Sequence, residues 1–395
     1  MRFALIVSTV LASTFASAQE ATAFSLDADA VAAGSLSGVW RAEADAIIGQ
    51  AAPGQVAWLR IPGEYWDFAL ELEFMTPAPA NGGVQVRGHW LPADPAAAAD
   101  PKTMHGYHVN IDTAGGGRTG EVLIAHGQPP ICAATDDAQA AVKPGDWNTL
   151  TVRAVGPVVQ VAVNGVAAAT AYDERSIGGI VALQVAAPAD APAEVRYRNV
   201  RINNGGRGAN WRPLFDGTSL AGWKTWGTEE WTVADGTIQG RRGPNQSEGY
   251  LATEETWADF RVRGEFRMLG DGNYGLFYHS TIQLREDGYP VIAGVQGEVE
   301  PSYPGSSGWV YESYRRGWLV KPDPATAEAY LLRPGEWNSI EIRSVGNRLT
   351  TWVNGMRVIE WTDAAPLLFT GSFALQLHTG EGAGIDWREL YVTQP

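Results

Sequence analysis

The chain has 395 residues, with 29 Lys and Arg against 44 Asp and Glu, and its formal net charge is −15 at pH 7. This length exceeds what one hydrophobic core usually organises, so it favours two domains. The acidic balance argues against a nucleic-acid or anionic-membrane partner, because both bind basic surfaces. The 46 Gly, 23 Pro and 16 Trp favour short strands and tight turns over long helices. A neutral ligand fits this composition best.

The first 18 residues have the pattern of a cleaved signal peptide. Arg2 is followed by an apolar run from Phe3 to Ala12, with small residues at Ala16 and Ala18. No other stretch reaches the roughly 18 apolar residues that a membrane-spanning helix needs. The pattern therefore predicts an exported protein, periplasmic or secreted, without a membrane span.

Past this leader, the chain repeats itself once. The block P-G-D-W-N-T-L-T-V-R-A-V-G-P-V-V-Q-V-A-V-N-G, Pro144 to Gly165, returns as P-G-E-W-N-S-I-E-I-R-S-V-G-N-R-L-T-T-W-V-N-G, Pro334 to Gly355. Every position of the block recurs 190 residues later. Constant spacing of this kind indicates two tandem copies of one domain.

The repeat divides the mature chain into a first domain over 24–203 and a second over 211–395. Between them, residues 203–210 read N-N-G-G-R-G-A-N. This Gly- and Asn-rich stretch predicts a flexible connector, with the linker itself at 204–210.

Within each copy the local patterns are typical of strands. Residues 69–74 and 261–268 alternate between apolar and polar, and Val159 to Gly165 is a strand running into an Asn-Gly turn. Helical periodicity is confined to the short segments 95–100 and 324–330. About ten to twelve strands per copy predict an all-β protein of two tandem antiparallel β-sandwich domains, of the concanavalin-like jelly-roll kind. Such a sandwich has a concave face on which a ligand can lie.

One strand carries an unusual polar face. In G-V-Q-G-E-V-E-P, Gly294 to Pro301, the residues Gln296, Glu298 and Glu300 alternate with apolar or small residues. Two interpretations remain open: a half-exposed strand that meets water, or the wall of a binding site.

Five segments of the second copy together resemble one family, the 3-keto-disaccharide hydrolase domains. These segments are L-F-D-G-T-S-L-A-G-W (214–223), W-T-V-A-D-G-T-I-Q-G (231–240), N-Y-G-L-F-Y-H (273–279), the P-G-E-W-N…V-N-G block, and L-Q-L-H (375–378). The resemblance covers 211–395 and, more weakly, the first copy. It implies a concanavalin-like sandwich that cleaves glycosides whose sugar ring is oxidised to a ketone at carbon 3.

Both copies depart from the family pattern. The Arg that closes the family's N-S-G-x-x-x-R is Arg87 in the first copy and His279 in the second. The family's polar strand has Glu, Gln and Asp. The first copy has His108 and Asn110 in place of the first two and keeps the third as Asp112, and the second copy has Gln296, Glu298 and Glu300. The closing L-Q-x-H is kept as Gln376 and His378, whereas the first copy has Ala186 in place of the His. We therefore expect the second copy to carry the active site and the first to be catalytically silent. Two alternatives stay open: each copy could bind its own ligand, or His108 and Asp112 could be the working pair of an active first copy.

The chemistry implied by the resemblance needs a base, an acid and a group that holds enolate charge. A ketone at carbon 3 acidifies the proton on carbon 2, and its removal expels the oxygen on carbon 1. We expect Glu298 to be the base, His378 the acid or a ligand, and His279 with Gln296 to polarise the ketone. The other expected substrate-binding residues are Tyr278, Glu300, Tyr311, Glu312, Arg316, Trp318 and Gln376 of the second copy, and Arg87, His108 and Asp112 of the first.

The segment Y-E-S-Y-R-R-G-W, Tyr311 to Trp318, is expected to be a loop excursion. Its aromatic residues could stack on sugars while Glu312 and Arg316 bind hydroxyl groups. The alternative is a solvated loop whose charges pair with one another.

Three alternatives to this function stay open. Glu298, Glu300, His279 and His378 could bind a divalent cation, although no other cofactor is indicated. Two carboxylates on one strand could instead perform ordinary glycosidase chemistry. The same sandwich could also be a non-catalytic lectin-like module, because fold alone does not decide function. If the substrate is a keto-sugar, a separate sugar oxidoreductase is the expected upstream partner.

Overall fold

The computed structural model describes residues 22–23, 31, 34, 39–90, 104–124, 129–206, 210–244, 248–300, 306–321, 333, 335–366, 370–380 and 382–395. The predicted signal peptide over 1–18 and the two short helical candidates, 95–100 and 324–330, lie outside these residues. Within the described part of the chain, no helix is long and apolar enough to cross a membrane.

The first copy forms two antiparallel sheets. Its described elements are β1 (Thr22–Ala23), β2 (Trp40–Glu43), β3 (Ala46–Ala51), β4 (Val56–Tyr65), β5 (Asp67–Met75), β6 (Asn81–Trp90), β7 (Met104–Asp112), β8 (Val122–Leu123), β9 (Pro130–Cys132), α1 (Asp136–Ala141), β10 (Asn148–Val155), β11 (Val158–Val163), β12 (Val166–Tyr172), β13 (Gly179–Ala186) and β14 (Ala193–Gly206). One sheet has the order β12-β11-β10-β5-β14-β3-β2, with β1 paired to β14, and the other has the order β4-β13-β6-β7-β8-β9.

The second copy repeats this arrangement. Its described strands are β15 (Arg212–Pro213), β16 (Trp223–Trp226), β17 (Glu230–Ala234), β18 (Thr237–Arg241), β19 (Gly249–Thr253), β20 (Phe260–Met268), β21 (Tyr274–Leu284), β22 (Pro290–Val299), β23 (Val310–Ser313), β24 (Gly317–Val320), β25 (Asn338–Val345), β26 (Arg348–Val353), β27 (Met356–Thr362), β28 (Ser372–Leu377) and β29 (Gly384–Thr393). One sheet has the order β17-β18-β29-β20-β25-β26-β27, with β15 paired to β29. The other, β16-β19-β28-β21-β22-β23-β24, holds the polar strand β22.

Alternating burial explains why these segments pair face to face. In β5, Phe68, Leu70, Leu72 and Phe74 are fully buried while the residues between them are more exposed. Each copy has its own main hydrophobic core, as expected for two sandwiches. The all-β antiparallel prediction is confirmed. The strand number was underestimated, because two-residue strands such as β8 and β15 are too short to show a period of two.

The repeated block is a hydrogen-bonded structural motif. In the first copy, Asn164 donates through Nδ2 to Asn148 Oδ1 at 2.8 Å, and its Oδ1 accepts the backbone N–H of Thr149 at 2.8 Å. Asn354 and Asn338 make the corresponding side-chain bond at 3.1 Å. Both Asn164 and Asn354 have positive φ and precede a glycine, as a tight hairpin turn requires. The block is therefore explained by folding and not by ligand binding.

The Trp of the same block also has a structural role. The Arg198 guanidinium lies 4.1 Å from the centroid of Trp147, and that of Arg388 lies 3.9 Å from the centroid of Trp337. Each contact joins the start of the block to the last long strand of its copy, by a cation–π attraction.

The two copies contact each other directly. Arg343 of the second copy forms a two-pronged ion pair with Glu174 of the first, at 2.7 and 2.9 Å. Trp352 donates its indole N–H to the Glu174 carbonyl at 2.8 Å, and Ile177 donates its N–H to the Gly355 carbonyl at 2.8 Å.

The predicted connector is partly strand. Residues 203–206 belong to β14 and pair with 67–69 of β5, whereas 207–209 lie outside the described residues.

Candidate functional site

A cleft of about 560 Å³ lies on the sheet of the second copy that holds β22. Strands β19, β28, β21, β22 and β23 pair in that order and carry most of the lining residues on one face. The lining residues are Glu248, Asn273, Phe277, Gln296, Glu298, Tyr311, Ser313, Tyr314, Trp318, Gln376 and His378. The structure thus brings Glu298, His378, Gln296, Gln376, Tyr311 and Trp318 of the expected site together in one cleft.

Glu298 lies at the floor of this cleft and is only 3% exposed. Its Oε1 accepts hydrogen bonds from Asn273 Nδ2 at 2.5 Å and from Gln296 Nε2 at 3.2 Å. Burial raises the pKa of Glu298 to about 8, because a charged carboxylate loses its hydration there. The Asn273 bond lowers this pKa, and the nearby carboxylate of Glu300 raises it further. A carboxyl group with a pKa near neutrality can exchange protons under ordinary conditions.

Two glutamines connect Glu298 to the other side of the cleft. Gln296 donates from Nε2 to Gln376 Oε1 at 2.7 Å, and Gln376 donates from Nε2 to Glu248 Oε1 at 2.6 Å. The first bridge passes over Gly275 of the intervening strand β21, where an added Cβ would lie 2.3 Å from Gln296 Nε2. Glycine at this position lets the bridge form.

Glu248 contacts a second group of polar side chains. It accepts hydrogen bonds from the hydroxyls of Tyr250 and, at 3.2 Å, Tyr289. His378 Nε2 lies 3.6 Å from Glu248 Oε2, and its Nδ1 lies 2.9 Å from Thr379 Oγ1. Burial first, and then the Glu248 charge, raises the pKa of Tyr250, so this hydroxyl remains a hydrogen-bond donor. The cleft therefore holds two carboxyl groups and an imidazole.

Sequence reasoning missed Glu248 and Asn273 as polar members of the cleft. Glu248 directly precedes β19, whose Tyr250 pairs with Gln376 of β28. Only this pairing, which the sequence does not display, carries Glu248 to His378. Asn273 is the first residue of the N-Y-G-L-F-Y-H segment, so the family resemblance could have indicated it as a site residue.

His279 does not lie in this cleft, contrary to the expectation that it polarises the ketone. Asn273 and Phe277 face the cleft, and strict alternation along β21 would place His279 on the same side. His279 has φ of +46° at an irregularity in the pairing of β21 with β22, so its side chain leaves that face. Its buried ring contacts Phe260 and places Nε2 3.1 Å from Ser344 Oγ. Tyr278 is likewise buried, in the hydrophobic core. Both line a separate small cavity of about 30 Å³.

Three other expected residues of the second copy also lie outside the cleft lining. Glu300 follows the last residue of β22, and its backbone N–H donates to Ser307 Oγ at 3.2 Å. Glu312 is buried on the opposite face of β23 from Tyr311, where it pairs with Arg315 and Arg316. Arg316 is therefore engaged with carboxylates, and the segment 311–318 is a β-hairpin instead of the expected loop excursion.

The four expected cation ligands are not assembled. Glu298 and His378 line the cleft, but His279 lies in the other cavity and Glu300 lies beyond the strand end. In the part of the chain described here, no group of three or more His, Cys, Asp or Glu side chains is placed to hold a metal ion.

Arg87, expected to bind substrate, is completely buried in the first copy. Its guanidinium donates to the carbonyls of Trp66 at 2.8 Å and Gly156 at 2.7 Å, and approaches Asp67 at 3.4 Å. It occupies the same kind of strand irregularity as His279, with φ of +49°. These contacts assign Arg87 a structural role.

The other two expected residues of the first copy are also enclosed. His108 is fully buried, with its ring edge-on to Trp58 at 5.8 Å. Asp112 accepts the backbone N–H groups of Ala114 and Gly115 at 2.7 and 2.9 Å and thereby fixes a turn.

The first copy has apolar residues where the second has its Glu248 group. Trp58 pairs with Gln184 as Tyr250 pairs with Gln376. Two residues along each strand, Val56 pairs with Ala186, at the positions that Glu248 and His378 occupy in the second copy. Asn110 takes the place of Glu298 and bonds to Glu121 at 2.9 Å. In the described part of the first copy, the positions of Glu298, Glu248 and His378 are therefore occupied by Asn110, Val56 and Ala186.

Comparison with known proteins adds the family. No curated protein matches the chain significantly. Among solved structures, a candidate glycosyl hydrolase from Parabacteroides distasonis is 18% identical, with a TM-score of 0.37, covering 47% of this chain and 94% of that one. The carbohydrate-binding module CBM66 from Bacillus subtilis is 14% identical, with a TM-score of 0.34, covering 44% and 96%.

The mannose-bound VIP36 exoplasmic/lumenal domain is 15% identical, with a TM-score of 0.33, covering 46% of this chain and 89% of that one. At these TM-scores the structural likenesses carry no functional argument. The model of the 3-keto-alpha-glucoside-1,2-lyase-like domain matches in two segments, 23–203 and 210–393. The chain therefore belongs to the 3-keto-alpha-glucoside-1,2-lyase-like domain family and contains two tandem copies of that domain.

Proposed function

We propose that the second copy cleaves glycosides whose sugar carries a ketone at carbon 3, by elimination followed by hydration. Membership of the lyase-like family supports this reaction class. The observation that carries it is the buried carboxyl of Glu298, whose pKa of about 8 suits it to proton transfer at the floor of a ligand-sized cleft.

Elimination needs two proton transfers, hydration needs two more, and neither step needs an external oxidant. The base takes the proton from carbon 2, and the electron pair of that bond forms an enolate with the ketone. The enolate then expels the oxygen on carbon 1, which leaves with the electron pair of its bond and receives a proton. Water finally adds to carbon 1 while carbon 2 regains a proton, which releases the free keto-sugar.

Glu298 in its ionised form is the proposed base. Its Oε1 is fixed by Asn273 and Gln296, so the carboxyl group is held in one orientation. A base with a raised pKa binds the abstracted proton more strongly than an ordinary carboxylate does.

His378 is the proposed acid for the leaving oxygen. It lines the same cleft and stands 3.6 Å from the Glu248 carboxylate, which can orient the imidazole. Gln296 and Gln376 hold the two proton-transfer groups in a fixed relation.

We also propose that the protein works outside the cytoplasm, on the strength of its first 18 residues. Its substrate would then come from an oxidoreductase that converts the carbon-3 hydroxyl of a glycoside to a ketone.

A second candidate function is carbohydrate binding without cleavage. The aromatic side chains of Tyr311, Tyr314 and Trp318 at the edge of the cleft favour this alternative, because flat apolar faces bind sugar rings whether or not a bond is broken.

Purified full-length protein incubated with 3-keto-glucosides and their unoxidised parents, with and without a chelator, separates these functions. We expect cleavage of the keto-glycosides alone, and its loss in Glu298→Gln but not in the control Glu286→Gln, an exposed position outside the cleft. Cleavage of the unoxidised parents would indicate ordinary hydrolysis, and binding without cleavage would favour the lectin-like function. Loss of cleavage in the presence of the chelator would show that the reaction needs a metal ion.

A further inference from the structure

The edge of the cleft formed by the β23–β24 hairpin carries a concentration of exposed aromatic surface. Tyr314 is 70% exposed and Trp318 is 42% exposed, and they are two of the five large apolar side chains that are exposed in the described chain. Both line the cleft together with Tyr311, whose ring centroid lies 5.1 Å from that of Trp318. Exposed apolar surface beside a polar cleft is a mark of ligand contact.

This aromatic wall is built on the hairpin of β23 and β24 at the edge of the sheet. Each strand has only four residues, and Tyr314 in the turn has φ of +59°. A short edge hairpin gains little stability from its own backbone bonds. Contacts from outside the hairpin are therefore needed to hold the aromatic wall in place.

A buried ionic brace anchors the hairpin from behind. Glu312 is 0% exposed and pairs with Arg315 at 3.1 Å and with Arg316. Arg316 also makes a two-pronged ion pair, at 2.8 and 2.7 Å, with Asp363, which directly follows β27 of the opposite sheet. Paired arginine donors of this geometry fix direction as well as distance.

The described residues of the first copy do not form such a wall. Its corresponding strands β8 and β9 have two and three residues, Val122–Leu123 and Pro130–Cys132, and carry no aromatic side chain. The aromatic hairpin therefore occurs in the copy that also has the Glu298 and Glu248 groups.

We propose that Tyr311, Tyr314 and Trp318 form a preformed leaving-group subsite, which stacks on the flat apolar face of the group attached to carbon 1. The occupant is a second pyranose ring or an aryl aglycone, and both present such a face. Glu312, Arg316 and Asp363 are positioning residues that hold the wall. The proposal rests on the proposed function for the identity of the first sugar, but the stacking itself does not require catalysis.

The test compares 3-keto-glucosides with methyl, p-nitrophenyl and glucosyl leaving groups, using full-length protein. We expect Trp318→Ala to lower kcat/KM by roughly five- to tenfold for the two large leaving groups, which is the scale of an aromatic stacking contact. The methyl glycoside, which cannot reach the wall, should change by less than about twofold. Trp318→Phe should restore most of the loss. A loss confined to the aryl or to the glucosyl substrate would identify the occupant, whereas equal losses for all three would overturn the proposal.

The brace is tested by Arg316→Lys with Arg348→Lys as its matched control. Arg348 is an exposed arginine of the opposite sheet that pairs with Glu360. Arg316→Lys should raise KM for the large leaving groups and leave kcat for the methyl glycoside unchanged, because lysine cannot keep both carboxylate contacts. A uniform loss for every substrate would contradict the positioning role.

If the wild-type protein cleaves no keto-glycoside, calorimetric binding of p-nitrophenyl glucoside and of an unoxidised disaccharide still tests the subsite. Binding to the wild type that weakens in Trp318→Ala supports it. Equal binding, or no binding to either protein, overturns it.

Discussion

The buried carboxyl group of Glu298 makes the stability of the protein depend on pH. A carboxyl group with a pKa of about 8 when folded, against 4.5 in an exposed state, binds its proton more strongly in the folded protein. The free energy of unfolding must then fall as pH rises between about 4.5 and 8, because the unfolded chain ionises first in this window.

Replacing Glu298 by Gln should therefore stabilise the protein at neutral and higher pH. We expect an increase of up to about 4 kcal/mol in the free energy of unfolding at pH 7.5, which lies about three pH units above the pKa of the exposed group. The increase should nearly vanish at pH 4, where the carboxyl group is neutral in the folded state and mostly neutral in the unfolded state. Denaturant unfolding at the two pH values measures this. A variant that is less stable than the wild type at pH 7.5 would show that the carboxyl group is structural.

The same group sets the expected pH dependence of cleavage. If ionised Glu298 is the base, kcat/KM should rise about tenfold per pH unit below 8 and level off above it. Initial rates between pH 5.5 and 9.5 check this, with protein stability followed in parallel. A rate that falls as pH rises through 8 would instead make Glu298 the acid.

Alternation in the sequence identified the residues that lie on straight stretches of strand. Gln296 and Glu298 on β22, and Gln376 on β28, face the cleft as a period of two predicts. His279 was misplaced because one residue with positive φ reverses the alternation, and Glu300 because the strand ends before it. Glu248 could not be predicted, since its position depends on which strands pair.

At the scale of elements, the cleft depends on three neighbouring strands whose side chains meet across a glycine. Gly275 of β21 leaves room for Gln296 of β22 to reach Gln376 of β28, and the pairing register places Gly275 between Glu298 and Gln376. The same register in the first copy sets Gly83 between Asn110 and Gln184, so the two copies share this framework.

Gly275→Ala should therefore impair cleavage more than folding. The new Cβ would lie 2.3 Å from Nε2 and 2.7 Å from Cγ of Gln296, so it would displace this side chain and disconnect Glu298 from Gln376. We expect at least a tenfold lower kcat/KM with a melting temperature within a few degrees of the wild type. The control is Gly384→Ala, where an added Cβ meets its nearest atom at 3.5 Å. Full activity in Gly275→Ala would show that the bridge is dispensable.

The whole molecule contains two sandwiches, and among the described residues the cleft lined by Glu298, Glu248 and His378 belongs to the second. The tandem repeat and the fold class could be read from the sequence, because a constant spacing of 190 residues and strand periodicity are properties of the chain itself. The contact between the copies could not, since Glu174, Arg343 and Trp352 meet only after folding.

The second copy alone, expressed from residue 211 onward, should cleave the keto-glycosides. It should also melt at a lower temperature than the same copy in the full chain, by roughly 5 °C, because Trp352 and Arg343 lose their contacts with the first copy. Activity assays and thermal unfolding of both separate copies check this. Activity confined to the first copy would reverse the assignment.

The most direct measurement is NMR of the sugar released from a 3-keto-glucoside in D₂O. Elimination and hydration replace the hydrogen on carbon 2 with solvent deuterium, so we expect the released keto-sugar to carry deuterium at carbon 2 from the first turnovers. Free keto-sugar incubated for the same time controls for exchange in solution, and Glu298→Gln should release none. Release of a keto-sugar that keeps its original hydrogen at carbon 2 would contradict the mechanism, and the absence of release from any keto-glycoside would contradict the function.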